Sequence, residues 1–187
     1  MLKIHIPKDE GIFGIAARTF ADLWFQITCV KLDIVTEAPA DDDLVVIGSD
    51  AANHFVHEKI IDGTIHDFAL RTGSDDYVVK SAFENDRHLL FLAGGRGRAL
   101  LYAVYDFFER SAGCHYFWDG DVIPSLPDID IANLDVAESP RFDYRGLRYF
   151  AHRSLDRFQA EHWDLEQWQK EIDWILKKRL NFFMLRI

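Results

Sequence analysis

The chain is poor in cysteine, carries no excess of positive charge and has no long apolar run. Cys29 and Cys114 are the only cysteines in 187 residues, so a disulfide scaffold is excluded. The two could pair, but each also stands beside an apolar segment where a free thiol packs as a small hydrophobe. Lys and Arg number 21 against 31 Asp and Glu, a formal charge of -10. With its basic residues scattered, the chain is not expected to bind nucleic acid, whose phosphates call for clustered cations. The acidic run Asp41-Asp42-Asp43 reads as a solvated turn before a strand. No run reaches the length of a membrane span, so no membrane partner is expected. Residues 1–6 alternate like a strand that Pro7 ends, without the basic and apolar regions of a secretory leader. The expected compartment is therefore cytoplasmic, a secreted parent staying open.

What is present is apolar residues in abundance, 49% of the chain, enough for one good core and the start of a second. Their spacing alternates between two periods. Leu2 to Ile6 reads as a strand, and Ile12, Phe13, Ala16, Phe20, Leu23, Trp24 and Ile27 recur at helical spacing. Val30 to Val35 alternates as a strand. Leu44-Val45-Val46-Ile47-Gly48 is continuously apolar, as suits a strand covered on both faces. Ser49 or Asp50 is placed to cap a short helix after it. Tyr77 to Lys80 and Leu89 to Ala93 flank the turn-forming Glu84-Asn85-Asp86-Arg87 and predict a hairpin. A helix follows from about Ala99 to Arg110, closed by Gly113, and Cys114 to Trp118 reads as another strand. Pro124 to Pro140, with three prolines and several acids, reads as an extended linker.

A boundary is expected near residue 138, dividing a domain over 1–138 from a unit over 139–187. In the latter, Tyr144 to Phe150 is a strand, Asp164 caps an amphipathic helix through Lys178, and Leu180 to Ile187 is a second strand. This is one strand, helix, strand unit of a parallel sheet. The fold class is thus α/β (α+β): a small mixed sheet with helices on it, then the opening of an incomplete (β/α)8 barrel. A strand as apolar as Leu180 to Ile187 calls for a further neighbour, so the chain is expected to be the front piece of a larger protein.

Four groups of residues could carry chemistry. Gly94, Gly95 and Gly97 follow a strand and open a helix, where backbone amides can hold phosphate. The third glycine of a dinucleotide fingerprint is replaced by Leu100, and no P-loop lysine follows; a tight turn is the alternative. No cofactor is expected. His54, His57 and Glu58 share a short helix with both imidazoles on one face, but a zinc site needs a third ligand, so no metal site is expected. Trp163, Trp168 and Trp174, with Tyr149, Phe150 and Phe158, suit either a sugar-stacking platform or the packing of a helix on a sheet. Arg145, Arg148, His152, Arg153, Asp156 and Arg157 straddle the end of a barrel-type strand, where active sites gather.

Arg148-Tyr149-Phe150, Trp163-Asp164, Trp168, Glu171-Ile172-Asp173-Trp174 and Leu180-Asn181 together resemble the segment by which α-N-acetylglucosaminidases enter their catalytic barrel. Residues 98–110 with Gly113-Cys114 are similar to the end of the small α/β domain before that barrel, a domain with relatives in α-glucuronidases and β-N-acetylhexosaminidases. Arg145-Gly146-Leu147 resembles the first barrel strand of β-N-acetylhexosaminidases, whose arginine holds sugar hydroxyls. The resemblance implies a glycoside hydrolase acting on hexosaminides or uronides, with a carbohydrate substrate met only by the whole enzyme. It also implies that Arg145 contacts a sugar hydroxyl, a structural ion pair being the alternative for that residue, and that His152 lines the subsite. His152, Ser154 and Leu155 stand where the α-N-acetylglucosaminidases place asparagine, cysteine and threonine, which points to a different substrate. No catalytic residue is expected within the chain: the carboxylates of these families lie on later strands, and hydrolysis needs a suitably spaced pair or one acid with a substrate acetamido group. Two other readings stand beside this one: a stand-alone carbohydrate-binding or interaction module, and a nucleotide-binding protein built on the Gly94 to Gly97 turn.

Overall fold

The computed structural model describes residues 1–8, 10–66, 69–149 and 162–185. Ten strands and four helices alternate along these residues: β1 (Leu2–His5), α1 (Gly11–Thr28), β2 (Asp33–Val35), β3 (Asp43–Gly48), α2 (His54–Ile61), β4 (Tyr77–Glu84), β5 (Arg87–Gly94), α3 (Gly97–Ser111), β6 (His115–Phe117), β7 (Gly120–Val122), β8 (Asp135–Glu138), β9 (Gly146–Tyr149), α4 (Leu165–Lys177) and β10 (Phe182–Leu185). Six strands form one mixed sheet in the order β2-β1-β3-β5-β4-β8. The first four are parallel, while β4 runs antiparallel to both neighbours.

Both faces of this sheet are buried, and strand alternation divides its side chains between them. Val45, Ile47, Leu90 and Leu92 point toward α1 and α3, where they meet Phe20, Trp24, Phe107 and Phe108. Leu44, Val46, Leu89 and Phe91 point the other way, against Val56, Ile65 and Leu70. The β4–β5 hairpin turns on Asn85 and Asp86, both with positive φ (51° and 60°), a conformation that asparagine and aspartate tolerate better than most residues.

Three expectations are corrected. The segment predicted as a linker supplies β8 and packs on the core: Ile129 is buried, and Ile123, Leu126, Ile131, Leu134 and Val136 lie against the same cluster. Its prolines and acids obscured this apolar spacing. The cap of α2 is Asn53, whose side chain accepts from the Phe55 amide at 3.1 Å, and not Ser49 or Asp50. Cys114 is buried as expected, but Cys29 is exposed, in the left-handed conformation (φ 61°) that ends α1. Both thiols are free.

Strands β9 and β10 form a separate parallel pair joined through α4. Asp164 and Gln167 cap α4 reciprocally, each side chain accepting from the other's backbone amide at 2.9 Å. At the start of the pair, Gly146 lies so close to the Phe182 carbonyl that a Cβ would collide with it. No helix among the described residues is long and apolar enough to cross a membrane.

Candidate functional site

Arg145 opens β9, at the end of the strand opposite to that from which His152 follows. Each of its three guanidinium nitrogens donates to the chain. Nε donates to the Arg179 carbonyl (2.9 Å), Nη1 to the Phe142 carbonyl (2.7 Å) and Nη2 to Asp75 (2.8 Å). Its side chain is only 15% exposed and lies over the Tyr102 ring. His152, Arg153, Asp156 and Arg157 lie outside the described residues.

The partner of Arg145 is a residue that sequence reasoning missed. Asp75, 6% exposed in its side chain, also accepts from Arg98 Nε (2.7 Å) and from Asn181 Nδ2 (2.7 Å). One carboxylate thus ties together the approach to β4, the start of α3 and the starts of β9 and β10. Burial opposes its ionisation, but the bonds from Arg98, Arg145 and Asn181 outweigh that and hold its carboxyl below the ordinary range. Beside it, Asp76 is wholly buried and accepts from Arg71 Nε (2.7 Å) and Ser139 Oγ (2.8 Å). Burial again works against ionisation, yet Arg71, Ser74 and Ser139 bring this carboxyl down to about 2. Two adjacent acids before a strand, with arginines at 96 and 98, were the only local signal of this cluster.

Arg179 makes a second tie. It takes a positive φ of 57° just beyond α4, a position that glycine usually fills. Its guanidinium meets the Tyr77 hydroxyl (3.1 Å), Asp106 (2.7 Å) and Glu109. A third tie is formed by Glu171, which is buried on α4 and accepts from Trp118 Nε1 at 2.6 Å. Its other oxygen has no hydrogen-bond partner, and burial pushes this carboxyl up despite the bond from Trp118.

Phe150 and Phe158 also lie outside the described residues, whereas Trp168, the glycine turn and the histidine pair are engaged in packing and local bonds. The Trp168 ring meets Phe183 on β10 and Trp163 edge-on, at centroid distances of 5.2 and 5.1 Å, so it covers the strand pair as a helix aromatic does. The Gly94 to Gly97 turn is a close approach of backbones: a Cβ at Gly95 would strike the Arg71 carbonyl, and one at Gly94 would lie 2.9 Å from Ala99. His57 hydrogen-bonds Asp50 at 2.8 Å, and the His54 ring packs on Phe55. Among the described residues, no group of three His, Cys, Asp or Glu is placed to hold a metal.

The order of a mixed-sheet layer followed by a parallel strand, helix, strand unit recurs in solved structures. Parts of two glycoside hydrolases share this fold. The GH20 β-N-acetylhexosaminidase from Streptomyces coelicolor A3(2) superimposes with a TM-score of 0.61 over 97% of this chain at 12% identity. The glycoside hydrolase CpGH84D superimposes with a TM-score of 0.53 over 80% of the chain at 11% identity. The chain spans 29% of the first protein and 22% of the second. At such identities the likeness concerns the fold. No protein-family model matches the chain, and no curated protein matches it in sequence.

Proposed function

We propose that the chain is the N-terminal part of a glycoside hydrolase acting on hexosaminides or uronides. In this reading residues 1–138 are a non-catalytic α/β domain, and residues 139–187 are the first strand, helix, strand unit of the catalytic barrel. The observation that carries it is the parallel β9–α4–β10 unit following the mixed sheet, an order shared over nearly the whole chain with the N-acetylhexosaminidase. The sequence likeness over residues 98–110, at Gly113-Cys114 and over 148–181 narrows the reading toward α-N-acetylglucosaminidases. Carbohydrate is bound by the whole enzyme, and the chain alone is inactive, since the required carboxylates belong to later strands.

Barrel active sites form at the C-terminal ends of strands. For β9 that end leads by sequence to His152, which we assign to the sugar subsite. Arg145 enters this reading as the residue that fixes the first strand in place, because a sugar hydroxyl would have to displace one of its chain partners. The test is to express the coding sequence that contains these residues, extended past Ile187, and to assay it on aryl N-acetylhexosaminides and aryl uronides. The extended protein is expected to hydrolyse at least one class, with residues 1–187 alone inactive. A coding sequence that stops at Ile187, or a folded extended protein inactive on both, overturns the proposal.

A further inference from the structure

A cleft of about 520 Å³ opens where the loop before β4 meets the start of α3 and the chain leading into β9. Four arginines line it, Arg71, Arg96, Arg98 and Arg145, in a protein whose formal charge is -10. Two buried carboxylates, Asp75 and Asp76, hold these arginines from behind. Asp143, exposed at the rim, is the third acid of the lining. Four cations against three anions leave the cleft positive, against the sign of the whole molecule.

The donors are not all used. Arg71 gives Nε and Nη2 to Asp76, and Nη2 again to Ser139, leaving Nη1. Arg96 has a single ion-pair contact among the described residues, Nε to Asp75 at 3.3 Å, which leaves both Nη groups. These two side chains are also the most exposed of the four, at 64% and 42%. A guanidinium held by a buried acid on one edge, with donors remaining on the other, is oriented in advance for an oxyanion. Arg96 is also the N-cap of α3, where no side chain caps the helix, so the positive helix end adds to the same field. Phe142 and Tyr144, residues 72% and 81% exposed, line the cleft and offer rings on which a small ring can lie.

We infer that this cleft binds an oxyanion carried by a small ring-bearing ligand, with Arg71 and Arg96 as its anchors. The cleft lies at the N-terminal start of β9, away from the strand end that the glycosidase reading uses; the choice of a sugar as the ring rests on that reading. Two sources share the chemistry, the carboxylate of a uronic acid and an ester sulfate or phosphate on a sugar.

The test titrates the chain of residues 1–187 with sodium sulfate and with sodium D-glucuronate at constant ionic strength, against sodium chloride and D-glucose. Binding is read by calorimetry, and by ring resonances of Phe142 and Tyr144 for the glucuronate arm. At least one oxyanion is expected to bind where chloride and glucose do not, glucuronate marking a carboxylate source and sulfate an ester source. Arg96→Gln and Arg71→Gln should each weaken binding by about tenfold, the usual scale for one charge-assisted contact. Arg96→Lys should recover part of the loss. Arg96 makes one long contact, so Arg96→Gln is expected to fold with an unchanged melting midpoint, which circular dichroism verifies. Absence of binding in the wild type, or undiminished binding in the folded Arg96→Gln variant, overturns the inference.

Discussion

The six-stranded layer and the β9–α4–β10 unit both join parallel strands through helices, yet different forces hold them. The layer is closed on both faces by apolar side chains: Phe20, Phe91, Phe107 and Phe108 are wholly buried. In the β9–α4–β10 unit, Leu147, Ile172, Phe182 and Met184 are exposed by 38 to 52%. It is fastened to the layer by polar ties through Asp75 of the layer and through Arg179 and Glu171 of the unit. A region that completes its own core needs no ionic fastening; one that leaves apolar surface outside is positioned by ion pairs, whose geometry is directional.

Mutation can separate the two modes. The largest effect is expected for Phe107→Ala in the layer, where the ring stacks on Phe20 at 5.4 Å. Its loss should cost roughly 3–5 kcal/mol in urea unfolding and lower the transition of the whole chain. A cost below about 1 kcal/mol would show that the α1 and α3 layer is not the principal core. Asp75→Ala should come next, at about 3 kcal/mol, because it leaves Arg98 and Arg145 without their buried partner. Its signature is regional: amide exchange should quicken in β9, α4 and β10 while β3 and β5 stay protected. Uniform acceleration would erase the distinction between the regions.

Acid sharpens the same contrast. Asp76 is held at about 2 against an ordinary 3.8, so its contribution is fully present above 3.8 and is lost as pH falls toward 2. The loss is roughly 2 kcal/mol, and it should shrink in Asp76→Asn when melting is followed from pH 5 to pH 2. The smallest effect is expected at Glu171, whose carboxyl is raised by burial. Folding favours its neutral form, so the stability it allows is greatest below pH 4.5 and declines as pH rises. Glu171→Gln should therefore stabilise the chain at pH 7 by about 1 kcal/mol or less and have no benefit at pH 4. A destabilised variant at pH 7 would mean that the ionised carboxylate supports the Trp118 contact.

The features legible in the sequence are those encoded locally. Asn85-Asp86 between two apolar runs announced the hairpin, Asp164 announced the start of α4, and the continuous run Leu44 to Ile47 announced a strand covered twice. What escaped depends on separation along the chain. Asp75 meets Arg145 across 70 positions and Asn181 across 106, and no periodicity links them. Strand β8 escaped for another reason: an edge strand of four residues, set among prolines and acids, has too little apolar alternation to stand out. Arg145 was legible as a candidate for either a sugar contact or a structural ion pair, but its pairing with Asp75 could not be read from its position on the strand.

The missing side chain at Gly146 has a consequence for assembly. Parallel strands are free in principle to slide past one another, and a slip of one residue exchanges their two faces. Here a slip would bring Arg145 or Leu147 against the Phe182 carbonyl, and either would carry a Cβ into space that only glycine leaves open. The pair β9–β10 therefore checks its own alignment at its first contact.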